Sequence, residues 1–153
     1  AFHTLSWEFQ KGNEETGYSV RRAGEYLIIR GIVEGDSIIE EKHIGATPWV
    51  QNVGLYLSGQ LKEGKRSFKF ITLRPMKSKF YTMQANYKGN DQVEVNGQLS
   101  EVHRVVVSLT GFLSRFGGMQ MWFREKDWVF LASQSPASIP LVPDVRYELV
   151  EER

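Results

Sequence analysis

Apolar and polar residues alternate along most of this chain. In FHTLSWEFQ, Leu5, Trp7 and Phe9 point one way and Thr4, Ser6, Glu8 and Gln10 the other, the period-two signature of a half-buried strand. SVRR, YLIIRGIV and SIIEEKHI continue the pattern, separated by turn signals at Ala23-Gly24 and Glu34-Gly35-Asp36. FYTMQANY, QVEVNGQ, VHRVVVSLTG, MQMWFRE, WVFLASQ and VRYELVE read as further strands. Lys88-Gly89-Asn90-Asp91 and Glu125-Lys126-Asp127 read as hairpin turns, and Gly117-Gly118 as another turn. About ten short antiparallel strands joined by tight turns predict an all-β fold, either a flattened barrel or a strongly curved sheet.

One segment departs from alternation. TPWVQNVGLYLSGQLKEG predicts a helix over residues 47–61, with Thr47 as N-cap and Pro48 at the first helical position. Val50, Val53, Leu57 and Leu61 fall at helical spacing, Trp49 and Tyr56 flank them, and Gly64 is placed to close the C-terminus. SQSPASIPLVPD is the longest irregular piece, and its prolines predict an extended crossing into a final edge strand. No repeat, low-complexity segment or boundary interrupts the chain, so residues 1–153 read as a single β-rich domain packed on one helix.

Composition narrows the function classes. Nineteen Lys and Arg against 18 Asp and Glu leave a net charge of +1, a small excess for a duplex-DNA binder. The absence of cysteine removes disulfides, thiolate nucleophiles and Cys-ligated zinc. No run of 18 apolar residues provides a transmembrane segment. His3, His43 and His103 lie far apart with no HxH or HxxxH pair, and the aspartates fall at predicted turns or strand starts. Glu40-Glu41 and Glu151-Glu152 are adjacent on strands and so face opposite sides. No nucleophile elbow, Walker loop or dinucleotide fingerprint occurs. The chain reads as a non-enzyme without cofactor or metal.

The most charged stretch, KEGKRSFKFITLRPMKSKFY, holds seven basic residues and four aromatics around one acid. On a strand, Arg66, Phe68, Phe70, Thr72 and Arg74 share a face, the layout of a stacking platform for single-stranded nucleic acid. The cations stand at the strand ends and the aromatics in the middle, which a buried centre with a charged rim explains as well. The core reading is preferred, and nucleic acid is an unfavoured partner.

The order TPWVQ, FKFITLRP, QANYKG, VEVNG, VVVSLTGFLSRF, MQMWFREKDWVFL and YELVEE, covering about Thr47–Glu152, resembles a family of exported bacterial β-rich domains of unknown function. The resemblance implies a curved sheet or flattened barrel around one helix, in the periplasm or cell envelope, and carries no catalytic motif. Ala1 is a small first residue, compatible with signal cleavage. The expectation is an exported, non-enzymatic domain that binds an apolar or amphipathic ligand, lipid-like in kind, or an envelope protein. Trp7, Phe9, Trp49, Tyr56, Phe68, Phe70 and Trp122 are the candidate lining residues, and the same residues can simply fill a core. The alternatives are single-stranded nucleic-acid binding on an oligonucleotide-binding-type barrel, a structural subunit of an envelope or virion assembly, and a cytoplasmic location.

Overall fold

Strands form where alternation predicts them. A computed structural model describes residues 4–12, 16–75, 78–135 and 146–148. β1 (Ser6–Gln10), β2 (Gly17–Ala23), β3 (Tyr26–Val33) and β4 (Asp36–His43) make a four-stranded antiparallel sheet in that order. After α1 (Val53–Lys62) come β5 (Ser67–Arg74), β6 (Lys79–Val95), β7 (Gln98–Leu109), a 3-10 helix at Gly111–Phe116, β8 (Gly118–Arg124), β9 (Phe130–Gln134) and β10 (Arg146–Glu148). These strands form a six-stranded sheet in the order β10-β9-β8-β7-β6-β5. The protein is thus mostly β, with ten antiparallel strands and one α-helix among the described residues, and neither sheet closes into a barrel. The Pro-rich crossing expected over 133–144 lies mostly outside the described residues.

Contacts divide the described chain into two compact units, one built on residues 4–52 and 70–82, the other on 53–69 and 83 onward. In the first, Tyr18, Val20, Leu27, Ile29, Ile44, Trp49, Ile71 and Leu73 form the buried core, with Trp7, Phe9 and Phe80 packed against it. Leu27 and Ile29 are fully buried, each contributing about 2 kcal/mol. Leu5, grouped with Trp7 and Phe9 by alternation, precedes β1 and is exposed. Tyr18 is paired with Gly31 in the ladder, and a Cβ at position 31 would stand 2.5 Å from the Tyr18 Cα. A side chain at Gly31 would therefore displace the Tyr18 backbone.

The helix begins at Val53, five residues after Pro48, the predicted first helical position. Residues 48–50 instead bridge to β5 in parallel: the Ile71 N–H donates to the Pro48 carbonyl and the Val50 N–H to the Ile71 carbonyl, each at 2.8 Å. Gln51 prolongs this pairing with its side chain. Its Oε1 accepts from the Leu73 N–H (2.8 Å) and the Trp49 indole (3.2 Å), and its Nε2 donates to the Leu73 carbonyl (3.3 Å). Tertiary pairing of backbone and side-chain amides outweighs the weak local signal for helix. The C-terminus does match expectation: Gly64 takes φ 83, with bonds from Gly64 N–H to Leu61 O and Lys65 N–H to Gln60 O, the Schellman pattern.

In the second unit, Lys88-Gly89-Asn90-Asp91 is not a turn. β6 runs straight through it with a bulge between Tyr87 and Gly89, which absorbs the extra residue without ending the ladder. The turn falls at Asn96-Gly97, whose φ values of 50 and 76 are both left-handed, as a two-residue hairpin requires. Asp91 consequently sits inside a strand rather than at a turn, accepting from the Trp122 indole at 3.3 Å and lying 3.4 Å from Arg104 Nε.

Gln51→Leu keeps much of the volume but strands the Leu73 N–H and carbonyl. We expect a loss of about 2–4 kcal/mol in urea unfolding; a loss below about 1 kcal/mol would show that the amide is dispensable.

Candidate functional site

The candidate lining residues go mainly to interior positions. Trp7 and Phe9 stack on each other (centroids 5.8 Å apart) against Tyr18, and Trp49 is fully buried in the same unit's core. Burial pushes the Tyr18 phenol up to about 12, and its hydroxyl donates to the Pro75 carbonyl. Tyr56 on α1 meets Phe68 edge-on at 5.9 Å. Trp122 belongs to the Val93, Val95, Val102, Leu131 and Ala132 cluster. Phe70 has no exposed surface while Lys62, Lys65, Arg66, Lys69 and Arg74 are exposed. The stacking-platform layout is therefore corrected: the Phe70 ring is enclosed, Phe68 is half-buried beside Tyr56, and the cations form the wet rim.

A second aromatic group was not singled out by the sequence. The indole of Trp128 stacks on the His103 imidazole at 3.8 Å and 14°, and the Arg66 guanidinium lies over the rings of Tyr87 (4.8 Å) and Trp128 (5.5 Å). His103 is nine-tenths buried. Its Nδ1 lies 3.1 Å from the Tyr87 hydroxyl and 3.0 Å from Asn90 Oδ1, and its Nε2 3.3 Å from the Glu125 carbonyl. Trp128 carries φ 63, a strained conformation for a bulky residue. The β8–β9 turn holds it there. Arg124 grips Asp127 with two 2.9 Å bonds, the Val129 N–H donates to the same carboxylate, and the Trp128 N–H donates to the Arg124 carbonyl. Because both imidazole nitrogens already have partners and the Trp128 indole is covered by His103 and Arg66, the cluster acts as a clamp on the turn.

His43 pairs with Glu25 at 3.4 Å in an exposed position, and His3 lies outside the described residues. Among the described residues, no group of three or more His, Asp or Glu converges to hold a metal ion.

The open site is on the first sheet, on the face turned away from its core. Ladder partners across β1, β2 and β3 put Glu8, Ser19 and Arg30 in one row, and Gln10, Gly17 and Ile32 in the next. Together with Phe9 and Tyr18 they line an open trough of about 550 Å³. Gly17 makes the depression, since it leaves its place in the second row empty. Glu8 and Arg30 are exposed and pair with no opposite charge among the described residues. They stand two strands apart, about 10 Å between backbones, with the Ser19 hydroxyl between them. Of the predicted residues only Phe9 touches this trough. A strand-interior glycine such as Gly17 is a legible signal for close approach or an unfilled place, but the rows themselves depend on register.

Compared with protein-family models, curated proteins and solved structures, the chain matches none.

The clamp predicts a pH effect. The hydrogen bonds from Arg124, aided by the Val129 N–H, hold the Asp127 carboxyl below its ordinary value. The folded state thus binds this proton less readily than the unfolded chain. Its contribution is present above the unfolded value and is lost as pH falls through the folded one. Asp127→Asn should be less stable than the parent at neutral pH, and the two unfolding curves should converge as pH falls below the ordinary aspartate range. Equal separation at every pH would place the effect elsewhere.

Proposed function

We propose that this protein is a non-enzymatic binding domain that takes an amphipathic ligand with a zwitterionic head group, acting in the cell envelope after export. The observation that carries this reading is the trough of Glu8, Gln10, Gly17, Ser19, Arg30 and Ile32. The described interiors are filled by their own side chains, Trp49, Phe70, Phe123, Leu27, Ile29 and Leu57 among them, so the ligand goes to the outward face. An anionic group of the head meets Arg30, a cationic group meets Glu8, and the Ser19 hydroxyl lies between. The adjoining apolar stem lies along Ile32, which is exposed on that face. Opposite charges at that separation select a dipolar head over a simple anion, which Glu8 repels. The export part rests on the resemblance over Thr47–Glu152.

Titration with dodecylphosphocholine below its micelle concentration, followed by backbone amide shifts, tests the site. Saturable shifts should centre on Ser19, Arg30 and Ile32. Gly17→Leu should abolish them and leave thermal stability unchanged or higher, because a Cβ at position 17 meets only ordinary contacts at 3.7 and 3.8 Å. Arg30→Gln should weaken binding roughly tenfold. Shifts scattered over the surface, or undisturbed by Gly17→Leu, would refute the reading. Recovery of the protein only from the cytoplasmic fraction of its cells would remove the envelope location.

A further inference from the structure

We infer that the free edge of β4 joins a second copy of this chain in antiparallel register, with Ile39 on the two-fold axis, so that two four-stranded sheets become one of eight strands. This inference rests on the β4 edge, beside the trough with which its patch shares Ile32, and does not depend on a ligand there.

Three observations on β4 lead there. The first is its openness. β4 ends the sheet, no described strand pairs with its far side, and seven of its eight residues are exposed. Such an edge presents a row of unpaired backbone groups. Their spacing follows from the hairpin. Val33 and Asp36 close the two-residue turn at Glu34-Gly35, and the Ile44 N–H donates to the Glu25 carbonyl. Residues 36, 38, 40 and 42 therefore bond inward to β3, while Ser37, Ile39, Glu41 and His43 turn their N–H and C=O groups to the open edge.

The second is an apolar patch at that edge. Ile39 is 75% exposed, the most exposed large apolar residue among those described. It pairs with Arg30 across the ladder, with Ile28 and Ile32 as its diagonal neighbours on the same face. A copy placed about Ile39 continues this patch as Ile28, Ile39 and then the second molecule's Ile39 and Ile28, covering what one chain leaves in water.

The third is charge. A two-fold axis through Ile39 sets residue numbers that sum to seventy-eight opposite each other. Asp36 then faces Lys42 of the other copy, twice per dimer. Neither has an ion-pair partner within its own chain among the described residues. In the same register Glu40 faces Ile38 and Glu41 faces Ser37, so no like charges stand directly opposite. Moving the axis one residue either way, to Glu40 or to Ile38, sets Glu40 against Glu40 or Asp36 against Glu40, and moving it to Glu41 sets Glu41 against Glu41, all of which like-charge repulsion disfavours. The strand is complementary to itself in one register.

Sedimentation equilibrium on the full chain from micromolar to about 1 mM tests the inference. A monomer–dimer equilibrium is expected. Ile39→Lys should leave a monomer with an unchanged melt, since the residue is exposed. Asp36→Lys and Lys42→Glu should each weaken association tenfold or more, and mixing the two variants should restore it, because each supplies the charge the other has lost. A parent protein that stays monomeric throughout, a dimer that survives Ile39→Lys, or variants that do not rescue each other when mixed would each overturn the inference. So would an edge that binds only an unrelated strand.

Discussion

The structure of the first unit depends on one side-chain amide. Gln51 occupies the place where a further strand residue would continue the bridge from residues 48–50 to Ile71, and its amide offers Leu73 the acceptor and donor that a peptide group would. A parallel pairing this short is marginal on its own. With the amide added, β5 gains partners at Ile71 and Leu73. Trp49 is then fixed by its indole bond to Gln51 and fully buried in the core. The late start of α1 is a consequence, because residues already committed to the bridge cannot also take helical dihedrals. A segment that looks like a helix N-terminus in sequence is spent on holding a sheet.

That trade shows where sequence reasoning succeeds. The first sheet was legible because its strands are half-buried, so the periodicity of Tyr18 and Val20, or of Leu27 and Ile29, directly reports a core face. Gly64 was legible because a helix end needs a left-handed residue regardless of what packs nearby. The errors have a common cause in competing local signals. Lys88-Gly89-Asn90-Asp91 has turn residues but lies before Val93 and Val95, which still have to join Val102 of β7 in one buried cluster. Its glycine serves a bulge, and the chain turns at Asn96-Gly97. Thr47-Pro48 makes a good helix start only if nothing beyond the segment competes for its backbone groups, and Ile71 does.

The site was much less legible than the fold. Aromatic residues were natural candidates for a ligand surface, yet burial is where aromatic area contributes most, and Trp49, Phe70 and Trp122 went to interiors. The trough arises from residues that look ordinary one at a time. Glu8, Ser19 and Arg30 are outward strand positions in three different strands, and only the register of two ladders aligns them. Gly17 matters for a missing side chain. The Trp128 clamp is similar: the strain at φ 63 is offset by the His103 stack, the Arg66 cation and the Arg124–Asp127 pair, contributed by β5's approach, β7 and the β8–β9 turn. No single one of those segments announces it.

Edges supply the last step. β5 is covered at Ile71 by the bridge, and β1 is short, with the Thr4 N–H beyond its start donating to Trp49. β4 is eight residues long and has neither form of cover. Charges such as Glu40 and Glu41 do protect an edge from indiscriminate pairing. Protection alone, however, does not require Asp36 and Lys42 to stand three residues either side of Ile39, nor the most exposed apolar residue to occupy the midpoint between them. A charged edge that is also complementary to itself rejects most strands and admits one, and the same charges do both.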